Sequence, residues 1–221
     1  MRRYLQGTLD FACGIYAVIN ALSLIEGIDL AAGRHMLSES HVALAARPEL
    51  FAAFARNETD HYWLVRYMLR RWCAAPPHAL RVICPHGAAP PSERDLALEE
   101  VSLYLPERRP PEGAPSAREA GAEAALVRRE LQTWFSERRK TKRAALLRFH
   151  RFLPGVPGPV ISHWTCASDC DQLAVHLHDA SSDANSLRHL EHRVLNPDAN
   201  GRPMARIVPE SLYLLENAAR G

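Results

Sequence analysis

Gln6-Gly7-Thr8-Leu9-Asp10-Phe11-Ala12-Cys13-Gly14 runs directly into Ile15-Tyr16-Ala17-Val18-Ile19-Asn20-Ala21-Leu22-Ser23-Leu24-Ile25. The apolar residues Ile15, Ala17, Val18, Ala21, Leu22, Leu24 and Ile25 are too dense for a helix with a solvated face. They predict a buried helix over about residues 12–26, with Asp10 as its candidate N-cap and Gly27 as its stop. Cys13 then sits in the first turn. A thiol reacts as thiolate, and its ordinary pKa of ~8.5 leaves it mostly protonated at neutral pH. The positive end of a helix dipole favours the ionised form. Gly14 has no side chain, so a substrate could approach the thiol closely. Gln6 carries an amide NH2 that can join the Cys13 backbone N–H over a developing oxyanion. Taken singly, Cys13 also reads as a small core residue and Gln6 as an exposed terminal one.

The C-terminal third supplies partners. Pro159 to Cys166 reads as a strand, Gln172 to Asp179 as another, and Ala167 to Asp171 has turn composition. A turn centred on Cys170 and Asp171 places His163 opposite His178 or Asp179 in an antiparallel hairpin. Opposed residues have Cβ atoms roughly 4.5–5.5 Å apart, close enough for a carboxylate to orient an imidazole. A slip of one residue would turn the acid to the other face. In this reading Asp179 fixes the tautomer of His163, and His163 holds Cys13 as thiolate and protonates the leaving group. Alone, His163 reads as a half-buried strand histidine and Asp179 as a turn former at a strand end.

Gln6, Cys13-Gly14, His163-Trp164 and Asp179, in that order, resemble the papain-like cysteine peptidases, in particular the compact bacterial C39-like branch. The resemblance covers about residues 3–26 and 158–216; the Gln6–Cys13 spacing is longer than usual, and Ala12 precedes the nucleophile where many members carry a polar or aromatic residue. It implies an α+β fold, with the nucleophile helix in an N-terminal helical part packed on a C-terminal twisted antiparallel sheet. It also implies a Cys13–His163–Asp179 triad, Gln6 in the oxyanion hole, and Gly14 and Trp164 beside the substrate. No cofactor is expected. By analogy, a compact member could be a bacterial effector or toxin with a cognate inhibitor.

At 221 residues and 47% apolar, the chain suits one domain with a real core, and a net charge of +2 points to no dominant electrostatic partner. Five cysteines form no dense framework, which fits a reducing compartment. No segment reads as a signal peptide or a membrane span, so the expectation is a protein cytoplasmic where it is made, with leaderless export left open. Cys166, Cys170, His176 and His178 raise a metal question. The histidines stand one residue apart on a strand, however, and the cysteines flank the turn, so no metal is expected.

In the middle of the chain, residues 38–56 and His61 to Cys73 read as helices, the second carrying Trp63, Leu64, Tyr67, Met68 and Trp72 at helical spacing. Arg81 to Cys84 and Val101 to Leu105 read as short strands, and residues 106–117 as an exposed Pro-rich loop. Arg118 to about His150 reads as one long basic helix or two, forming an insertion over about 106–151. Its Arg128-to-Arg151 face, with Trp134 and Phe135, suits an acidic protein partner or inhibitor better than nucleic acid, although a solvated helix face is the plainer reading. Arg206 to Leu215 reads as a last strand, with an edge or bulge at Pro209.

Three functions compete. The first is a thiol peptidase acting on a protein or peptide amide or isopeptide bond. The second is an acyltransferase or transglutaminase-like enzyme, in which an amine replaces water. The third is an inactive protein-binding module using the basic face.

Overall fold

The computed structural model describes residues 12–56, 61–97, 117–137, 141–153, 156, 159–179, 188–195 and 204–217. The helix expected after Gly7 forms as α1 (Cys13–Glu26), with Ile15, Val18, Ile19, Leu22 and Ile25 almost wholly inaccessible. Gly27 ends it at φ 71°, donating its N–H to the Ser23 carbonyl, a conformation that costs glycine little. Asp10 lies outside the described residues; the N-cap position is Ala12, which offers no side-chain hydrogen bond.

The helix expected over 38–56 is in fact two. α2 (Leu30–Ala45) starts earlier, at an Asp29 side chain that accepts from the Ala32 N–H at 2.8 Å. α3 (Pro48–Ala55) starts afresh at Pro48, which has no N–H to continue α2 but suits a first turn. α4 (Tyr62–Met68) runs into a single π turn (Leu69–Cys73), matching the expected helix there. Its Leu64, Val65 and Met68 join the core around α1. β1 (Arg81–Ile83) follows, and the strand expected at Val101 to Leu105 lies outside the described residues.

The long basic helix is corrected. α5 (Ala117–Ser136) is followed by β2 (Arg143–Arg151), which lies inside the sheet. Ala144, Ala145, Leu146 and Leu147 favour helix intrinsically, and no polar alternation marks the strand. The reason is that β2 is buried on both faces: Ala144 and Leu146 enter the core around α1, while Ala145, Leu147 and Phe149 enter a second core with α5. The basic residues therefore form no single helical face. Arg143 pairs with Glu216 at 2.9 Å and Glu137 at 3.1 Å, and its guanidinium lies 4.1 Å over the Trp134 ring. Arg148 donates to Ser162 at 2.8 Å.

The remaining elements are β3 (Ile161–Cys170), β4 (Ala174–Leu177), β5 (His189–Glu191), α6 (His192–Leu195), β6 (Ala205–Ile207) and β7 (Tyr213–Glu216). A 3₁₀ turn at Pro209–Ser211 divides what reads as one last strand into β6 and β7. All strand pairings are antiparallel, in the order β1-β7-β2-β3-β4-β5, with β6 also on β2. The architecture is thus α+β, with an antiparallel sheet. One face packs on α1 and α4 through Trp164, Cys166, Tyr213 and Leu215. The other packs on α5 through Ala167, Leu177, Leu212 and Leu214. Among the described residues no helix is long and apolar enough to cross a membrane.

Candidate active site

Three elements converge at the start of α1. Cys13 is its first residue and is 8% exposed. β3 carries His163, opposite Phe149 of β2, with the two rings 5.6 Å apart and edge-on. Asp179 lies two residues past the end of β4 and is 2% exposed.

The His163–Asp179 pairing forms, but by a different register from the one expected. β3 runs through the expected turn as far as Cys170, and the chain reverses later, at Asp171 to Leu173. Asp171 builds that turn by accepting from the N–H groups of Leu173 (2.6 Å) and Ala174 (2.9 Å). Ala167 pairs with Leu177 and Cys170 with Val175, with a bulge between. The His178 N–H then donates to the Cys166 carbonyl at 2.7 Å, carrying the pairing past β4. Neither His178 nor Asp179 therefore stands directly opposite His163. Continued, this register sets Asp179 against Thr165, making it a diagonal neighbour of His163, still within reach of an imidazole. The contact is direct, with His163 Nε2 2.8 Å from Asp179 Oδ2. Since Nε2 is engaged by the carboxylate, Nδ1 is the nitrogen left for the thiol.

Ionisation follows from these neighbours. Burial opposes a charge on Cys13, yet hydrogen bonds from His163 and His61 and the charge of His163 outweigh it, and the thiol is lowered to about 6. Burial likewise opposes the charge on His163, but hydrogen bonds to Asp179 and Cys13 raise the imidazole to about 10. Between those values the pair exists as thiolate and imidazolium. The other four cysteines behave oppositely: burial pushes Cys84 up to about 11 and Cys170 up to about 12, and raises Cys73 and Cys166 further still. Of the five thiols, Cys13 alone is shifted toward the ionised form.

Two residues expected beside a substrate belong instead to the packing beneath the site. Trp164 is 1% exposed, with its ring 5.1 Å from that of Tyr62 and 6.3 Å from that of Tyr213. Gly14 is buried against α4: a Cβ there would come within 3.0 Å of Val65 Cγ2, 3.5 Å of His61 Cβ and 3.9 Å of Trp164 Cδ1. The missing side chain admits a neighbouring helix rather than a substrate. Gly14→Val should accordingly destabilise the protein by about 1–3 kcal/mol through overpacking. Urea unfolding measures this, and an unchanged midpoint would remove the close-packing role.

Gln6 lies outside the described residues. His61 is the residue that sequence reasoning passed over. It reads as the start of a helix, and nothing near it in the chain points to Cys13, yet its Nδ1 is 4.0 Å from Cys13 Sγ. The cysteines of the metal question are part of the fold. Cys166 is fully buried in the core around α1, and Cys170 Sγ is 4.0 Å from His192 Nε2. His176 bonds Asp171 at 2.7 Å, and among the described residues no group of three or more histidine, cysteine or acidic side chains is placed to hold a metal ion.

No family model, curated protein or solved structure matches this chain.

Proposed function

We propose that the protein is a papain-like thiol peptidase, with Cys13 as nucleophile, His163 as general base and acid, and Asp179 as the carboxylate that orients His163. The observation carrying this reading is the 2.8 Å His163–Asp179 contact beside a thiol lowered to about 6 at the start of a buried helix. A core cysteine has no use for such a neighbour. An α+β fold with the nucleophile helix against an antiparallel sheet that carries histidine and acid further supports it.

In the reaction, the Cys13 thiolate attacks the carbonyl carbon of a peptide or isopeptide bond. The Cys13 backbone N–H, with Gln6 as second donor, faces the oxyanion. The His163 imidazolium gives its proton to the departing amine as the C–N bond breaks, leaving an acyl thioester on Cys13. His163, now neutral, deprotonates water, which releases the acid and restores the ion pair. Asp179 keeps the ring aligned and stabilises its charge throughout.

The test is intact-mass labelling with a slow thiol electrophile at pH 6, on wild type, Cys13→Ala and His163→Ala. A single rapid modification of the wild type alone supports an activated Cys13. Slow labelling spread over several cysteines would make it an ordinary core thiol. With a cleavable peptide in hand, kcat/KM should describe a bell with limbs near pH 6 and pH 10, rising as Cys13 ionises and falling as His163 loses its proton. A rate still climbing above the upper limb would exclude the ion pair. Added amines distinguish hydrolysis from transfer, since an amine acceptor diverts the acyl product.

A further inference from the structure

The triad does not account for His61. This residue is 2% exposed, and its ring lies 5.2 Å from that of Phe54. Its backbone sits at φ 62°, a left-handed conformation uncommon outside glycine though better tolerated by Asn, Asp and His. From there its carbonyl accepts from the Val65 N–H at 2.9 Å to open α4, so the ring is held by both backbone and packing. Nε2 is buried and has no hydrogen-bond partner among the described residues, whereas Nδ1 faces Cys13 Sγ at 4.0 Å. A neutral imidazole carries one N–H. With nothing to receive it at Nε2, the proton belongs on Nδ1, where it meets the sulfur.

We propose that His61 is a second thiolate-holding residue whose Nδ1–H donates to the Cys13 thiolate independently of His163. The proposal rests on the reading of Cys13 as nucleophile. It divides the work between two histidines. His163 has Asp179 behind it and a partly exposed side chain, so it can charge and discharge during turnover. His61 is walled in, and no carboxylate reaches its Nε2 among the described residues, so its contribution is the Nδ1 contact with the sulfur. When His163 has delivered its proton to a leaving group, the Nδ1–H of His61 is still aimed at the sulfur. Gly14 lets α4 sit close to α1, since a Cβ there would come within 3.0 Å of Val65 Cγ2, four residues along from His61. Both histidines lower the Cys13 thiol, His163 more than His61, each by hydrogen bond and by charge.

Among the described residues, the titratable groups facing Cys13 are His163 on β3, backed by Asp179, and His61 ahead of α4. The experiment is the pH dependence of iodoacetamide alkylation at Cys13 in the full chain, located by peptide mass. It is run on wild type, His61→Asn, His61→Gly and His61→Asp, with His163→Ala alongside. All three replacements at 61 tolerate the left-handed backbone, and only asparagine keeps a donor near the Nδ1 position. His61→Asn should react at pH 6 within about twofold of wild type, and His61→Gly about fivefold more slowly, because a one-unit rise from about 6 leaves about a tenth of the thiol ionised instead of half; His61→Asp should be slower still, since its charge also opposes the thiolate. The alkaline limb, set by His163, should stay in place. If the glycine variant does not fold, His61→Ala, which also lacks a donor and adds no charge beside the thiolate, carries the comparison with His61→Asn. Wild-type titration in both donor-free variants, or lowered melting temperatures with no change in thiol titration, would leave His61 a packing residue and overturn the proposal. A wild-type Cys13 that titrates in the ordinary range, indifferent to His163→Ala, would instead overturn the nucleophile reading itself.

Discussion

His163→Ala should slow alkylation of Cys13 at pH 6 by on the order of 10²-fold, and peptide turnover by more. The first figure is an ionisation effect. With the thiol at about 6, half of it is thiolate at that pH. Returned to an ordinary pKa of ~8.5, under one per cent would be, and burial pushes it no lower. Alkylation needs only the thiolate, because iodide leaves unaided. Turnover also needs a proton for the amine, and losing a positioned general acid and base typically costs a further ~10²–10⁴-fold. The gap between the two rates therefore isolates proton donation from thiolate formation. Asp179→Asn should show the same split less severely, since the ring remains but loses the charge that raises it. Alkylation of His163→Ala at the wild-type rate would mean that Cys13 owes nothing to the imidazole.

Trp164→Ala should cost about 3–5 kcal/mol of unfolding free energy, the usual range for removing a large buried aromatic. That is a large part of the ~5–15 kcal/mol that holds a typical domain together. The ring lies near Tyr62 of α4 and Tyr213 of β7 and belongs to the core around α1. It therefore joins three elements close to the start of α1. Urea unfolding should show a lower midpoint, and Trp164→Phe should recover much of the loss by refilling the space. If Trp164 instead lined the substrate path, its removal would leave stability near wild type and raise KM. The burial of the side chain at 1% exposure favours the first result.

Both predictions depend on how the chain was readable. α1 was legible because its apolar residues close on every side and Gly27 stops it, both local properties. β3 and β4 were legible as strands but not in their bounds, since Ala167 to Cys170, which read as turn, extends β3, and β4 ends at Leu177. β2 was not: a strand buried on both faces has no polar alternation to announce it, and alanine and leucine favour helix when read alone. The break at Pro48 could have been read, since proline marks it by its own chemistry.

The sequence by itself determined which groups are available for chemistry: a thiol at a helix start, a histidine on a strand and an acid just past the next one, in that chain order. Only the tertiary structure decided how they meet. Asp171 delays the turn and the bulge after Ala167 shifts the pairing, so Asp179 reaches His163 diagonally rather than directly opposite. Gly14 serves helix packing, Trp164 serves the core, and His61 arrives at Cys13 from 48 residues away. The physical reason is common to all of these. Residue type and local periodicity follow from the chain alone, but register, burial and long-range contact depend on what each side chain meets once the layers close.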